Sequence, residues 1–106
     1  MQKLQAERMR SAKILLKMND KNEIRAQLQE WFDGEVYEIG DEVRNPFSGE
    51  TIMLDAAELS MYEVIKGAEM ILLMTHSSER RLVELIRKGQ DWMLAKNPQA
   101  YMTLID

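Results

Sequence analysis

The sequence predicts an α+β domain that is predominantly α, with about four to five helices and one β-hairpin of two to three short strands packed on the helical bundle. Two observations support this class. An apolar period typical of helices runs through both halves of the chain, and residues 35–54 lose that period and are rich in branched and aromatic side chains. With 106 residues, the chain fits one domain spanning 1–106.

The first predicted helix covers residues 2–18, where strong helix formers dominate and neither Gly nor Pro occurs. Residues 1–18 carry five basic and one acidic side chain, a local charge of +4 in a chain of net charge −4. The apolar side of this helix is only moderately developed. Segment 1–18 is therefore a candidate for a helix that protrudes from the domain or is swapped onto another copy. Its basic stripe, within an arc of about 80°, consists of Lys3, Arg10, Lys13 and Lys17.

A second helix is predicted between the polar residues 19–22 and Gly34, because Gly is a natural C-terminal cap. Its apolar side chains recur at helical spacing: Ile24, Leu28, Trp31 and Phe32.

The β-hairpin is predicted around the loop 45–49, in which Pro46 presets its backbone angle φ and Gly49 is free to adopt a positive φ. A further short strand is expected near Val36 to Ile39. Since two or three strands are marginal alone in water, we expect the hairpin to lie against helices.

The central helix opens at Asp55, with Glu58 three residues later in a capping-box arrangement. Its second half ends in five successive apolar residues, 70–74, which point in every direction around the axis. We therefore expect this segment to be enclosed by the fold or by a partner. The expected core face consists of Met61, Val64, Ile65, Ala68 and Leu72.

A break at Thr75–Ser78 is expected to separate the central helix from an amphipathic helix over 79–96, with Ser as N-cap. One long helix over 56–96 is the competing interpretation, because the apolar phase continues and no Gly or Pro lies in the gap. Asn97-Pro98 then begins a short C-terminal helix, in the preferred cap and first-turn positions.

The leading functional hypothesis is a non-enzymatic interaction or assembly module, a homo-oligomer with a dimer favoured. The far side of the central helix has more apolar residues than a one-sided core uses, and small residues there would allow another helix to approach closely. Gly67 costs about 1 kcal/mol of helix propensity relative to Ala, which suggests a packing reason for it. The predicted interface consists of Leu59, Ser60, Gly67, Met70, Leu73 and Met74.

The alternative hypothesis is a nucleic-acid-associated regulator that binds phosphates through the stripe of Lys3, Arg10, Lys13 and Lys17. Such binding would be sensitive to salt and largely independent of sequence. A solvated helix face is the simpler explanation of the stripe, because no aromatic residues that could stack on bases are interleaved with it.

We expect no enzymatic activity and no cofactor, because no phosphate-binding, metalloprotease or nucleophile-elbow motif occurs. His76, the only histidine, is expected in a loop or helix cap, beside two serines that do not form a catalytic arrangement. No metal site is expected, because the acidic residues 35–42 lack EF-hand spacing and are better explained as solvated strand edges.

The location expected from composition is the cytoplasm. The chain has no cysteine, its polar N-terminus is unlike a signal peptide, and its longest apolar run falls well short of the roughly 20 residues that span a bilayer. No membrane partner is expected.

Two stretches of the sequence resemble small uncharacterised proteins encoded by tailed bacteriophages of marine bacteria. One runs from Asn45-Pro46-Phe47-Ser48-Gly49 through LDAAELSMYEVIKGAEM, and the other is the C-terminal WMLAKNPQAYMTLID. The resemblance covers residues 35–106 and rests on packing and turn residues. It implies a phage product made in the cytoplasm of a bacterial host and carries no activity with it.

Overall fold

The computed structural model describes residues 21–76 and 78–105, so the predicted helix over 2–18 lies outside the described residues. The described chain is α+β and predominantly α, which confirms the predicted fold class. Its elements, in chain order, are helix α1 (Lys21–Gln27), strands β1 (Asp41–Arg44) and β2 (Thr51–Leu54), and helices α2 (Ala56–Thr75), α3 (Arg80–Lys96) and α4 (Pro98–Leu104).

Helices α2 and α3 form an antiparallel pair that is the framework of the fold. They approach closely at Gly89, where an added Cβ would lie 2.7 Å from Ile65 Cγ1 and 3.3 Å from Met61 Sδ. Ile65 and Met61 are fully buried, and Met93 is buried one turn after Gly89. A side chain at position 89 would therefore force the two helices apart.

The two helices are separated at His76, which confirms a break in place of one long helix. His76 is the C-cap of α2 in the left-handed conformation, with φ of 50°, and its backbone N–H donates to Leu72 O. The expectation that His76 lies in a cap is thus confirmed. The predicted Ser N-cap of the next helix is wrong, because Glu79 occupies that position and makes no side-chain capping hydrogen bond.

Both helix starts with strong capping signals form as predicted. Asp55 Oδ1 accepts from the Glu58 N–H at 2.8 Å, and Glu58 Oε1 accepts from the Asp55 N–H at 2.9 Å, which completes the capping box. At α4, Asn97 Oδ1 accepts from the Ala100 N–H at 3.1 Å, and Pro98 occupies the first turn. These caps satisfy backbone donors that have no partner within a helix.

Strands β1 and β2 form the predicted antiparallel hairpin, with Asp41 opposite Leu54 and Arg44 opposite Thr51. Gly49 adopts a φ of 77°, as its place in the turn requires. Asn45 links the turn to α4 through a hydrogen bond. Its Oδ1 accepts from the Phe47 N–H at 2.8 Å, and its Nδ2 donates to Thr103 O at 2.9 Å.

Helix α1 is shorter than predicted, because it ends at Gln27 and not near Gly34. A longer helix would use the carbonyl oxygen of Gln27 to pair with the Trp31 N–H. That oxygen instead accepts from Trp92 Nε1 at 3.1 Å. A contact with α3 thus replaces the next helical hydrogen bond, and Gly34 lies against Val64 instead of capping α1.

The expected strand over Val36–Ile39 is also wrong, because these residues are irregular. The Tyr37 N–H donates to Ser60 Oγ at 2.9 Å, and Ser60 Oγ donates to Ala56 O at 2.7 Å. A helix side chain therefore takes the backbone donor that a strand would use in a sheet.

One hydrophobic core joins the helices to the hairpin. It lies between the first half of α2 and the second half of α3 and is closed by α1, β2 and α4. Met53 on β2 and Met102 on α4 lie outside this core and are exposed. The fully buried large apolar side chains are Leu54, Met61, Ile65 and Met93.

Replacing Gly89 with leucine tests the close approach of α2 and α3. We expect Gly89→Leu to lower the free energy of unfolding by about 3 kcal/mol, because the side chain would overlap Ile65 and Met61. Ala95→Leu is the matched control, since it adds the same side chain at an exposed position of α3. Urea denaturation measures both variants. Equal stability of the two would contradict this account of the helix contact.

Asn45 offers a second test, because its two hydrogen-bonding atoms serve different elements. Asn45→Asp keeps the oxygen that accepts within the turn and removes the donor to Thr103 O, so we expect a loss of about 1 kcal/mol. Asn45→Ala removes both functions and is expected to cost about 2 kcal/mol. Thermal unfolding would compare the variants. If the Asp variant were as stable as the native protein, the bond to α4 would contribute nothing.

Candidate functional site

The distal half of the α2–α3 pair extends beyond the hydrophobic core. In α2 the buried residues lie between Ala57 and Ala68, and in α3 they begin at Gly89. Between these limits the described residues 69–76 and 78–88 include none that is buried. We call this part the helical arm. The facing side chains of its two helices, such as Leu72 and Ile86, are only partly buried. The α3 part of the arm also borders Trp31 and Asp33.

The arm exposes the apolar residues that the sequence led us to expect in an enclosed setting. Met70 is 55% exposed, Leu73 70% and Met74 73%. Gly67 is also exposed, half a turn from the α2 face that packs on α3. Four predicted interface residues therefore share one accessible side of α2. With Ile71, which is 49% exposed and which the prediction omitted, they form a surface that we call the methionine face: Gly67, Met70, Ile71, Leu73 and Met74.

Two predicted interface residues do not belong to this face. Leu59 is buried in the core of the chain itself, and Ser60 is fully buried, where it links Tyr37 to Ala56. The prediction placed them outward because helical angle alone was used. It did not anticipate that the segment around Val36 and Tyr37 would cover that side of α2. Ile71 could have been identified from its place inside the apolar run 70–74.

The methionine face carries no charge of its own. From Gly67 to Thr75 the sole charged residue is Glu69, which pairs with Lys66 at 3.4 Å. The Thr75 hydroxyl donates to Ile71 O at 2.7 Å and so does not present a free donor. The face can therefore exclude water and contact apolar groups. It offers little for the binding of a polar ligand.

Two tyrosines lie near the proximal end of this face. Burial raises the pKa of the Tyr62 hydroxyl, and the charges of Glu63 and Glu69 raise it further. The pKa of Tyr37 is raised by desolvation and by Glu63 and Glu35. Lys66 Nζ lies 5.6 Å from the centre of the Tyr62 ring, a cation–π contact at the boundary of the face.

The clefts on the described surface are shallow. One of about 230 Å³ lies beside Trp31, where Lys88 Nζ is 6.0 Å from the ring centre. Its charged side chains alternate in sign, since Asp33 and Glu84 accompany Arg81 and Lys88. Among residues 21–76 and 78–105, no group of three or more histidine and carboxylate side chains is arranged to hold a metal ion. Glu38, one of the acidic residues considered for such a role, pairs with Lys21 at 3.4 Å.

The nucleic-acid hypothesis concerns Lys3, Arg10, Lys13 and Lys17, which lie outside the described residues. It remains a prediction from sequence. Within the described part of the chain, no helix is both long enough and apolar enough to cross a membrane.

After desolvation, the charge of Glu63 is the next cause of the raised pKa of both Tyr37 and Tyr62. Each folded-state pKa lies above its ordinary value of 10.0, so the tyrosines of the unfolded chain ionise first as pH rises. Their contribution to stability is full below pH 10 and is lost as pH rises through the folded-state pKa values. We expect Glu63→Gln to move the tyrosinate absorbance titration of the folded protein to lower pH, because one negative charge is removed. Glu50→Gln, an exposed change in the hairpin loop, is the control. Superimposable titrations of Glu63→Gln and the native protein would contradict the coupling.

The comparisons with known proteins identify no relative. The chain matches no family model, no curated protein and no solved structure. Its function must therefore be argued from its own residues. The methionine face is the feature that packing among the described residues does not explain.

Proposed function

We propose that this protein is a non-enzymatic assembly module that forms a homodimer through the methionine face. The observation that carries the proposal is the exposure of Met70, Ile71, Leu73 and Met74 within little more than one turn of a well-formed helix. Isolated exposed apolar residues are ordinary, whereas a contiguous patch favours an interaction site. These four side chains expose roughly 400 Å² together, the size at which such a patch on a small protein often has a function.

The geometry of the arm explains why the described elements of the chain leave this patch exposed. Each helix of an antiparallel pair has one side against its neighbour, and α2 turns its Ile65 side toward α3. The opposite side needs another layer. Where the core is complete, that layer comes from the segment around Val36 and from the hairpin. The described chain supplies no such layer to residues 70–74.

A second copy supplies this layer without burying unpaired charge. Two uncharged methionine faces can meet without the desolvation cost that an isolated buried ion would carry. The two α2–α3 pairs would then form four packed helices, which is a common way to enclose apolar sides of helical hairpins. Methionine is suited to this contact, because its flexible side chain adapts to the shape of its neighbour.

The compartment and origin form part of the proposal. We propose a phage-type product of the bacterial cytoplasm on the basis of the sequence resemblance of residues 35–106 and the absence of cysteine. Neighbouring genes that encode phage proteins would support this origin, and a chromosomal setting without phage genes would weigh against it.

Sedimentation across a wide range of concentration tests the homodimer directly. We expect the native protein, of 12.4 kDa per chain, to reach twice that mass as concentration rises. Met70→Lys should weaken association about 100-fold, or about 3 kcal/mol, because it would place an unpaired ammonium group in the interface. The fold should be unaffected, since Met70 is exposed in the single chain.

Met102→Lys is the matched control, because Met102 on α4 is 61% exposed and lies away from the methionine face. It should dimerise as the native protein does. A native protein that remained monomeric at near-millimolar concentration would overturn the proposal. Equal effects of the two lysine substitutions would overturn the assignment to this face.

A further inference from the structure

Gly67 is the one glycine for which the described chain provides no packing reason. A Cβ built at each of the other four glycines would meet a neighbouring atom within 4 Å. At Gly67 no atom outside its own helix segment among the described residues lies within that distance. The backbone there is helical and not left-handed, so a side chain would be tolerated. Glycine is nonetheless the poorest helix former after proline, and Gly67 lies near the middle of a 20-residue helix.

The position of Gly67 on α2 indicates what the absence of a side chain there could serve. Met70 is three residues later and Met74 seven residues later, so all three lie along one side of α2. The glycine is therefore a notch in the methionine face, directly beside the projecting Met70 side chain. Ile65 and Ala68, which pack toward the core, lie on another side of the helix.

We propose that two copies cross at this notch, with α2 antiparallel to its counterpart and the Met70 side chain of each copy seated over Gly67 of the other. The inference rests on the homodimer proposed above and specifies how its interface is built. In a two-fold contact, each surface must complement itself. Gly67 and Met70 meet this condition, because they lie about one helical turn apart. An antiparallel crossing centred between them places Met70 of each copy opposite Gly67 of the other.

The absence of a side chain at Gly67 also determines how closely the helices approach. Small residues at a crossing point allow two helix backbones to come together and increase the contact of the flanking side chains. Met74, Leu73 and Ile71 would then close around the crossing and become less exposed. Roughly 400 Å² from each copy gives about 800 Å² in total, and a specific interface buries at least about 1,000 Å². The proposed crossing therefore requires that close approach at Gly67 also brings residues flanking the methionine face into contact.

The experiment compares Gly67→Ala and Gly67→Gln in the full chain. Both residues favour helix more than glycine does, and both would project into open space in the single chain. We therefore expect dilute, monomeric protein to unfold at a slightly higher temperature in both variants. Dimerisation should weaken several-fold in Gly67→Ala and at least about 30-fold in Gly67→Gln, because the longer side chain blocks the crossing. Ala95→Gln, at an exposed position of α3, should leave the dissociation constant unchanged.

The outcomes separate this inference from the proposal on which it rests. Dimerisation that survives Gly67→Gln but is lost in Met70→Lys would overturn the crossing and leave the homodimer standing. A monomeric native protein would overturn both. The same is true if Met70→Lys destabilises a monomer, since the face would then be covered by another segment of the same chain.

A disulfide test remains informative even if Gly67→Gln fails to fold. The native chain contains no cysteine, so Met70→Cys introduces a single thiol. Two such thiols lie near the proposed two-fold axis, where their Cα atoms could come within the range of about 4.4–6.8 Å that a disulfide needs. Under mild oxidation we expect Met70→Cys to form covalent dimers and Met102→Cys to remain largely unlinked. Failure of Met70→Cys to form more linked dimer than Met102→Cys would overturn the crossing.

Discussion

The close contact between α2 and α3 at Gly89 is the constraint on which the rest of the structure depends. The missing side chain allows Ile65 and Met61 to lie directly against α3. With the helices at this distance, Trp92 reaches the carbonyl oxygen of Gln27, and Met93 enters the core. The contact at the end of α1 and the core residue Met93 thus both lie within one helical turn of that close approach.

The same helix pairing explains why the outer side of the helical arm is exposed. Two long antiparallel helices cover one side of each other, but among the described residues the third layer of the domain covers the outer side of α2 only over its proximal half. That layer is built from α1, the irregular segment after it, the hairpin and α4. Beyond Ala68 the outer side of α2 keeps the apolar composition of a buried helix, and no element within residues 21–76 and 78–105 covers it. In a dimer, the helices of the second copy would cover the methionine face, which the described part of a single chain leaves exposed.

Ser60 shows how a single residue can be misjudged from helical angle alone. Its small size and outward angle suggested a place for another helix to approach. In the fold, its hydroxyl accepts from Tyr37 and donates to Ala56, so it anchors the segment that covers this side of α2. Gly67, one heptad later, has the same helical angle, but no segment among the described residues covers it. The difference between a core residue and a candidate interface residue is thus set by where the covering layer ends.

Local signals in the sequence were sufficient for the parts of the fold that depend on neighbouring residues. The capping box of Asp55 and Glu58, the Asn97-Pro98 helix start and the turn at Gly49 involve interactions within a few residues, so they could be predicted. The apolar surplus at 70–74 was also visible as a run. The end of α1, the irregular course of residues 36–39 and the burial of Ser60 were decided by tertiary structure. In each case a distant group, such as the Trp92 indole, takes a hydrogen bond or covers a surface that local propensity would assign otherwise. The sequence by itself determined that an apolar helix needs a partner on more than one side. Only the tertiary structure decided which of those sides the chain covers itself, because coverage depends on where separate elements meet in space.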